Sequence, residues 1–337
     1  MTSDHPTSWQ PTRLGGVEPG GGVTRYRLDS GRPGPRLLVL GGVHGNEIGG
    51  IVGAGRVTLT DWPLVAGRLD VVPITHEAAN LAFVRHGPAD GRDLARTFPG
   101  DPHGEPTERL AALVRDELIN DCDALIDLHT SAVDADLPDF AGSLHDHTPY
   151  GDNCRALALA FGLDTVWGHP DLPPGRTLSA AADRQIPAMY VESRRGGVLD
   201  ATMLAHYRDG VVRVAERLRI VAPGTAPAAS PLRRLLQGNG DTDTFTAAPT
   251  DGWFVAHVEL LTAVRQGQTV GSVIDHRGAT LAEVTAARAG TVVFLRRLAP
   301  VTTGTPLVSV CPEIPLPTPL ESDPPPLSDP PLKGAAR

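Results

Sequence analysis

The sequence predicts an α/β sheet covered by helices on both faces, followed by a small all-β unit. Short apolar runs alternate with amphipathic stretches as far as Ile220. A proline- and alanine-rich break, Ala222–Pro231, follows, and glycine-punctuated short runs then fill Trp253–Val310. Strands alternating with helices favour a sheet buried on both sides. Regular Gly turns between short strands favour an all-β module.

Each element has its own signal. Val23–Leu28 alternates with period two, as a half-buried strand does, and Ser30–Pro35 breaks it. Leu37–Leu40 is a continuous apolar run of the kind found in strands buried on both faces. The turn Gly41–Glu47 leads to a helix over Ile48–Arg56, and Arg68–Pro73 is the next strand. A helix opens at Pro106 and runs to Asn120, with Leu110, Leu113, Val114 and Leu118 as its apolar stripe. Ala124–His129 and Ala188–Glu192 are strands, Cys154–Phe161 a short helix and Leu199–Ile220 a long one. Asp134–Gly151 and Trp167–Arg176 read as loops beside a pocket. The expected organisation is an α/β domain over 1–222, a linker over 223–233, a β-domain over 234–312 and a disordered proline-rich tail over 313–337.

Composition narrows the function. A net charge of −9 over 337 residues disfavours a nucleic-acid surface. No apolar run approaches the roughly 20 residues of a membrane span. The opening residues Met1–Pro6 lack the basic and apolar regions of a secretory signal. Cys122, Cys154 and Cys311 form no CxxC pair, so a reducing, cytoplasmic setting is expected. No GxSxG elbow suggests a serine hydrolase.

In α/β sheets the chemistry sits beyond the carboxyl ends of the strands. His44, His129 and Glu192 all fall there. In His44-Gly45-Asn46-Glu47 an imidazole and a carboxylate lie three positions apart on a glycine turn, a spacing that can aim both at one zinc ion. His129 is the best-placed third ligand, and Asp127, two residues earlier, can orient a ligand histidine. Taken alone, such a motif is more often a solvated turn, with His129 a satisfied strand-end histidine.

The surrounding residues add a resemblance. Gly42–Glu47 and Asp127–Thr130 resemble the zinc-binding segments of the succinylglutamate desuccinylase/aspartoacylase family, within the zinc-carboxypeptidase-like clan. Asn80–Phe83 with Arg85, Asp93–Gly100, Thr107–Ala111 and Tyr190–Ser193 are similar to further family segments, in the same order. The resemblance implies a mixed sheet flanked by helices and one Zn2+ per chain on His44, Glu47 and His129. It implies Glu192 as general base and acid, Arg85 at the oxyanion and Arg96 on a substrate carboxylate. The implied reaction is removal of an N-acyl group from an amino acid or related small amine, by attack of a zinc-bound water activated by Glu192. Metallocarboxypeptidase action on peptides is the alternative. The implied partner is a small-molecule N-acyl substrate, with a homo-oligomer left open.

Three departures stand out. Ala95 occupies the position of the family's asparagine before Arg96, removing an amide that would help grip a carboxylate. Leu81 replaces a proline, and the Arg85 region is short. Arg176, ahead of the Glu192 strand, is a further substrate-binding candidate. His145-Asp146-His147 reads as a solvated loop, while His76, His86, His103 and His169 read as loop residues without nameable partners. The C-terminal module is similar in glycine spacing to biotinyl and lipoyl carriers. The sole lysine, Lys333, lies outside it, so a structural role at the site entrance is expected.

Overall fold

The computed structural model describes residues 8–16, 21–60, 62–238 and 245–316. Strands β1 (Gln10–Gly15), β2 (Gly22–Asp29) and β3 (Arg36–Gly41) precede helix α1 (Ile48–Val57). Next come β4 (Arg68–Val72), α2 (Glu77–Ala82), α3 (Pro106–Glu117) and β5 (Ala124–Leu128). The chain continues through β6 (Ala135–Asp136), β7 (Phe140–Leu144), α4 (Pro149–Phe161), β8 (Thr165–His169), α5 (Thr177–Ala182), β9 (Ala188–Glu192) and α6 (Ala201–Arg217). It then forms β10 (Arg234–Gln237), β11 (Thr246–Ala247), β12 (Gly252–Ala256), β13 (Ala263–Val264), β14 (Thr269–Ile274), β15 (Thr280–Thr285), β16 (Gly290–Arg296), β17 (Pro300–Val301), β18 (Pro306–Cys311) and β19 (Glu313–Ile314).

Ten strands form one mixed sheet in the order β1-β2-β4-β3-β5-β9-β7-β8-β10-β19. Its centre, β4-β3-β5-β9, is parallel. The apolar run of β3 explains its place there, because successive side chains point to opposite faces. Leu37 and Val39 pack with Ala54 of α1 and Tyr207 and Val211 of α6. Leu38 and Leu40 pack with Leu110 and Val114 of α3 and Leu178 of α5. Pro106 opens α3 as predicted, and the Glu108 carboxylate accepts the Glu105 N–H at 2.8 Å.

Two stretches read as loops hold strands. Phe140–Leu144 is β7, buried throughout, antiparallel to β9 and parallel to β8; Thr165–His169 is β8. Gly142 and Ser143 weaken the local strand signal of β7, and pairing on both edges outweighs it.

The boundary expected at residue 234 moves as well. Arg234–Gln237 is β10, parallel to β8 in the large sheet, because Leu235 and Leu236 bury against that sheet. Glu313–Ile314, expected in the tail, pairs with β10; residues 317–337, the rest of that tail, lie outside the described residues.

Between these strands lie two antiparallel sheets. One has the order β11-β18-β16-β13, and the other β15-β14-β12-β17. Phe254, Val270, Val273, Val292, Leu295 and Val308 fill the core between them. A separate cluster of Leu137, Phe140, Trp167, Leu236, Val293 and Cys311 joins this module to the large sheet. β6 pairs with β16, and Asp134 meets Arg296 at 2.8 Å while Asp136 meets Arg297 at 2.7 Å.

Candidate active site

From β3 the chain turns back to β4 on one flank and from β5 it moves on to β7 on the other, and this reversal of strand order opens a crevice at their carboxyl ends. The turn after β3 is held in place there. Thr75 and His76 donate backbone N–H groups to Gly41 and Gly42 at 2.9 and 2.8 Å, and the Asn80 side chain donates to the Gly45 carbonyl at 2.9 Å. A Cβ on Gly45 would lie 2.0 Å from the Ala79 carbonyl carbon, so only glycine fits. His44 and Glu47, at the N-cap of α1, are thereby fixed over the crevice. His129 enters from the end of β5, its carbonyl bonded by the Tyr207 hydroxyl of α6.

The ligand atoms of His44, Glu47 and His129 lie within 4.8 Å of one another, and all three residues are buried. His44 Nδ1 is 2.7 Å from Glu47 Oε1, off the line of a hydrogen bond, and His129 Nδ1 is 2.8 Å from Glu47 Oε2. Both imidazoles therefore turn Nδ1 toward the centre. Their far nitrogens meet carboxylates: His44 Nε2 meets Asp93 at 3.0 Å, and His129 Nε2 meets Asp127 at 3.1 Å. This carboxylate–histidine arrangement fixes ring orientation and strengthens the inner nitrogen as a ligand.

Charge follows the same pattern. Burial opposes ionisation of Glu47, yet the flanking His44 and His129 hold its carboxyl well below the ordinary range. Burial likewise opposes a charge on His129, but Asp127 and Glu47 raise it well above its usual value. Asp93, also against burial, is held low by the His44 hydrogen bond and by the charges of His44, Arg85 and Arg96. Such a buried set of acids calls for positive charge at its centre, and two imidazoles with one carboxylate match zinc's preferred donors. By this test of donor chemistry the residues fit a zinc ion.

The cavity over this cluster has a volume of about 480 Å³ and is lined by the metal, catalytic and substrate-binding candidates His44, Glu47, Arg85, Arg96, His129, Arg176 and Glu192, together with Asp127. Arg85 lies 3.1 Å from both Glu47 and Asp93. Glu192 ends β9 with its Oε2 unpartnered, and burial, reinforced by Glu47, pushes its carboxyl up to about 8. Arg96 follows Asp93 in a 3-10 turn that Asp93 caps through the Ala95 N–H at 2.8 Å. Sequence reasoning missed that Asp93 orients His44; its place three residues before Arg96 was the available signal. It also missed His169 and Tyr190 on the cavity wall, and Phe245, Phe294 and Arg296 from the module. Of the other histidines, His76 caps α2.

An α/β sheet with a buried His–Glu–His cluster at its switch point defines an α/β protein with a candidate metal centre. The succinylglutamate desuccinylase/aspartoacylase catalytic-domain model matches residues 33–218, and the chain belongs to that family. A relative, the N-alpha-acetyl-L-2,4-diaminobutyric acid deacetylase of Halomonas elongata, is 34% identical over 170 residues; the match spans 49% of this chain and 48% of that protein. The fold is similar to a succinylglutamate desuccinylase from Silicibacter sp. TM1040, at TM-score 0.80 and 21% identity, covering 93% of this chain and 100% of that one. It is also similar to the product-bound ectoine utilization protein EutE (DoeB) of Ruegeria pomeroyi, at TM-score 0.80 and 23% identity, covering 91% and 99%. No helix among the described residues is long and apolar enough to cross a membrane.

Proposed function

We propose that this chain is a zinc-dependent hydrolase that removes the N-acyl group from an N-acylated amino acid or related small amine. The observation that carries the reading is the convergence of His44 Nδ1, His129 Nδ1 and the Glu47 carboxylate beneath a cavity that Glu192 also lines. When bound, zinc supplies a water acidified to a pKa of about 7 and polarises the acyl carbonyl.

The chain's residues do the rest. Glu192 accepts the proton of the attacking water and returns it to the leaving amine nitrogen. A carboxylate placed in the same cavity can serve both steps, which contribute about 10²–10⁴-fold. Arg85, braced by Asp93, presents its guanidinium to the negative charge that forms on the acyl oxygen. Arg96 and Arg176 hold the substrate carboxylate, and Ala95 leaves that grip without a neighbouring amide. The β-module forms the outer wall through Phe294 and Arg296. The free, buried Cys122, Cys154 and Cys311 suit a reducing, cytoplasmic compartment.

The name of the Halomonas relative points to N-acetylated diamino acids as the first substrates to test. Purified protein is expected to carry about one zinc per chain. It should hydrolyse N-acetyl or N-succinyl amino acids faster than short peptides, and to lose zinc in His44→Ala or His129→Ala. Absence of zinc binding, or turnover of peptides alone, overturns the reading.

A further inference from the structure

Deep in the cavity wall, β8 and β9 bring His169 and Tyr190 together. His169 is 2% exposed; its Nδ1 lies 3.3 Å from the Gly238 carbonyl and its Nε2 lies 2.9 Å from Tyr190 Oη. A carbonyl only accepts, so Nδ1 carries the ring proton. Burial, with Arg176 nearby, lowers His169 to about 4 and keeps the ring neutral at pH 7. Its Nε2 is then an acceptor, and the Tyr190 hydroxyl proton is committed to it.

The arrangement is built rather than incidental. Gly142 on β7 pairs directly with Tyr190, and a Cβ there would lie 2.1 Å from Tyr190 Cε1. Glycine thus leaves the ring room to lie across β7, where Phe140 meets it edge-on at 5.6 Å between centroids. Tyr190 and Glu192 are two apart on one strand and line the same cavity.

We infer that Tyr190 is a specificity-determining residue whose hydroxyl oxygen, with its proton held by His169, accepts a hydrogen bond from an ammonium group on the substrate. The inference rests on the N-acyl hydrolase reading, which it deepens by assigning a residue to the second, free amine of an acylated diamino acid.

The test compares Nα-acetyl derivatives of L-2,4-diaminobutyrate and L-ornithine with their methyl-ended isosteres, Nα-acetyl-L-norvaline and Nα-acetyl-L-norleucine, on zinc-loaded full-length protein. Wild type should favour the ammonium member of at least one pair. Tyr190→Phe should lower that kcat/KM ratio about ten- to a hundredfold, the range for a hydrogen bond to a charged group. His169→Phe removes the acceptor that holds the hydroxyl proton away from the substrate, and should lower the same ratio. An unchanged ratio in Tyr190→Phe, or equal losses on both members of a pair, overturns the inference while the hydrolase reading stands. If no N-acyl substrate turns over, that reading fails. Calorimetry of L-2,4-diaminobutyrate and L-ornithine against L-norvaline and L-norleucine then decides the inference separately. Preferential binding of a diamino acid that Tyr190→Phe abolishes supports it, and no preference in wild type sinks it.

Discussion

Replacing Asp93 with alanine isolates the support of one candidate zinc ligand. Its carboxylate meets His44 Nε2 at 3.0 Å and Arg85 Nε at 3.1 Å, and accepts the Ala95 N–H at 2.8 Å. Without it the His44 ring loses the partner that fixes its tautomer and rotation. Loss of such a partner costs about 10–100-fold in metal affinity, or about 1.4–2.8 kcal/mol. The same change removes the cap of the turn at 94–96, worth about 1 kcal/mol of folding stability. Asp93→Asn separates the two effects, because its amide oxygen can still accept from Ala95 and His44 while the charge is gone. Zinc affinity measured by competition with a chelating dye is expected to fall in the order wild type, Asp93→Asn, Asp93→Ala, with only the last losing thermal stability. An Asp93→Ala protein that binds zinc as tightly as wild type refutes the argument.

Other outcomes follow from the same geometry. Glu192→Gln should retain zinc, measured by elemental analysis, and lose about 10²–10⁴-fold in kcat. Leu236→Ala empties a fully buried position where the module meets the large sheet, and urea denaturation should report a loss of about 2–5 kcal/mol. His206 on α6 faces Asp139 at 3.7 Å, and the Asp139 carboxylate raises its pKa against partial burial. A raised histidine stabilises fully below its unfolded value of about 6.5 and loses that contribution as pH rises through the folded value. The stability gap between wild type and His206→Gln, on the order of 1 kcal/mol or less for so exposed a pair, should therefore be widest near pH 6 and close toward pH 9.

The centre of the molecule was legible in the sequence because its signals are local. Leu37–Leu40 and Ala124–Leu128 are apolar without interruption, and polar residues at their carboxyl ends mark where chemistry belongs. His44, Glu47 and His129 followed from that rule together with the family resemblance. The sheet's outer half was not legible. β7 carries glycine and serine, and β10 follows a proline-rich linker; both are strands because neighbours on the sheet demand them. The His169–Tyr190 pair is set by adjacency of β8 and β9 through β7, a relation across 21 positions that spacing does not encode. Asp93 lay inside a segment already noted, but its role depends on a contact 49 residues away.

One consequence concerns β10 and β19. They run antiparallel side by side, Leu235 opposite Ile314 and Leu236 opposite Glu313, with the Gln237 N–H bonded to the Pro312 carbonyl at 3.0 Å. Both ends of the intervening module thus leave the sheet together, about 5 Å apart. Two such moorings forbid a swing about any single pivot. An Asn-Gly turn joining the paired strands as an ordinary hairpin would remove the module, and would uncover Leu137, Phe140 and Trp167 beneath it.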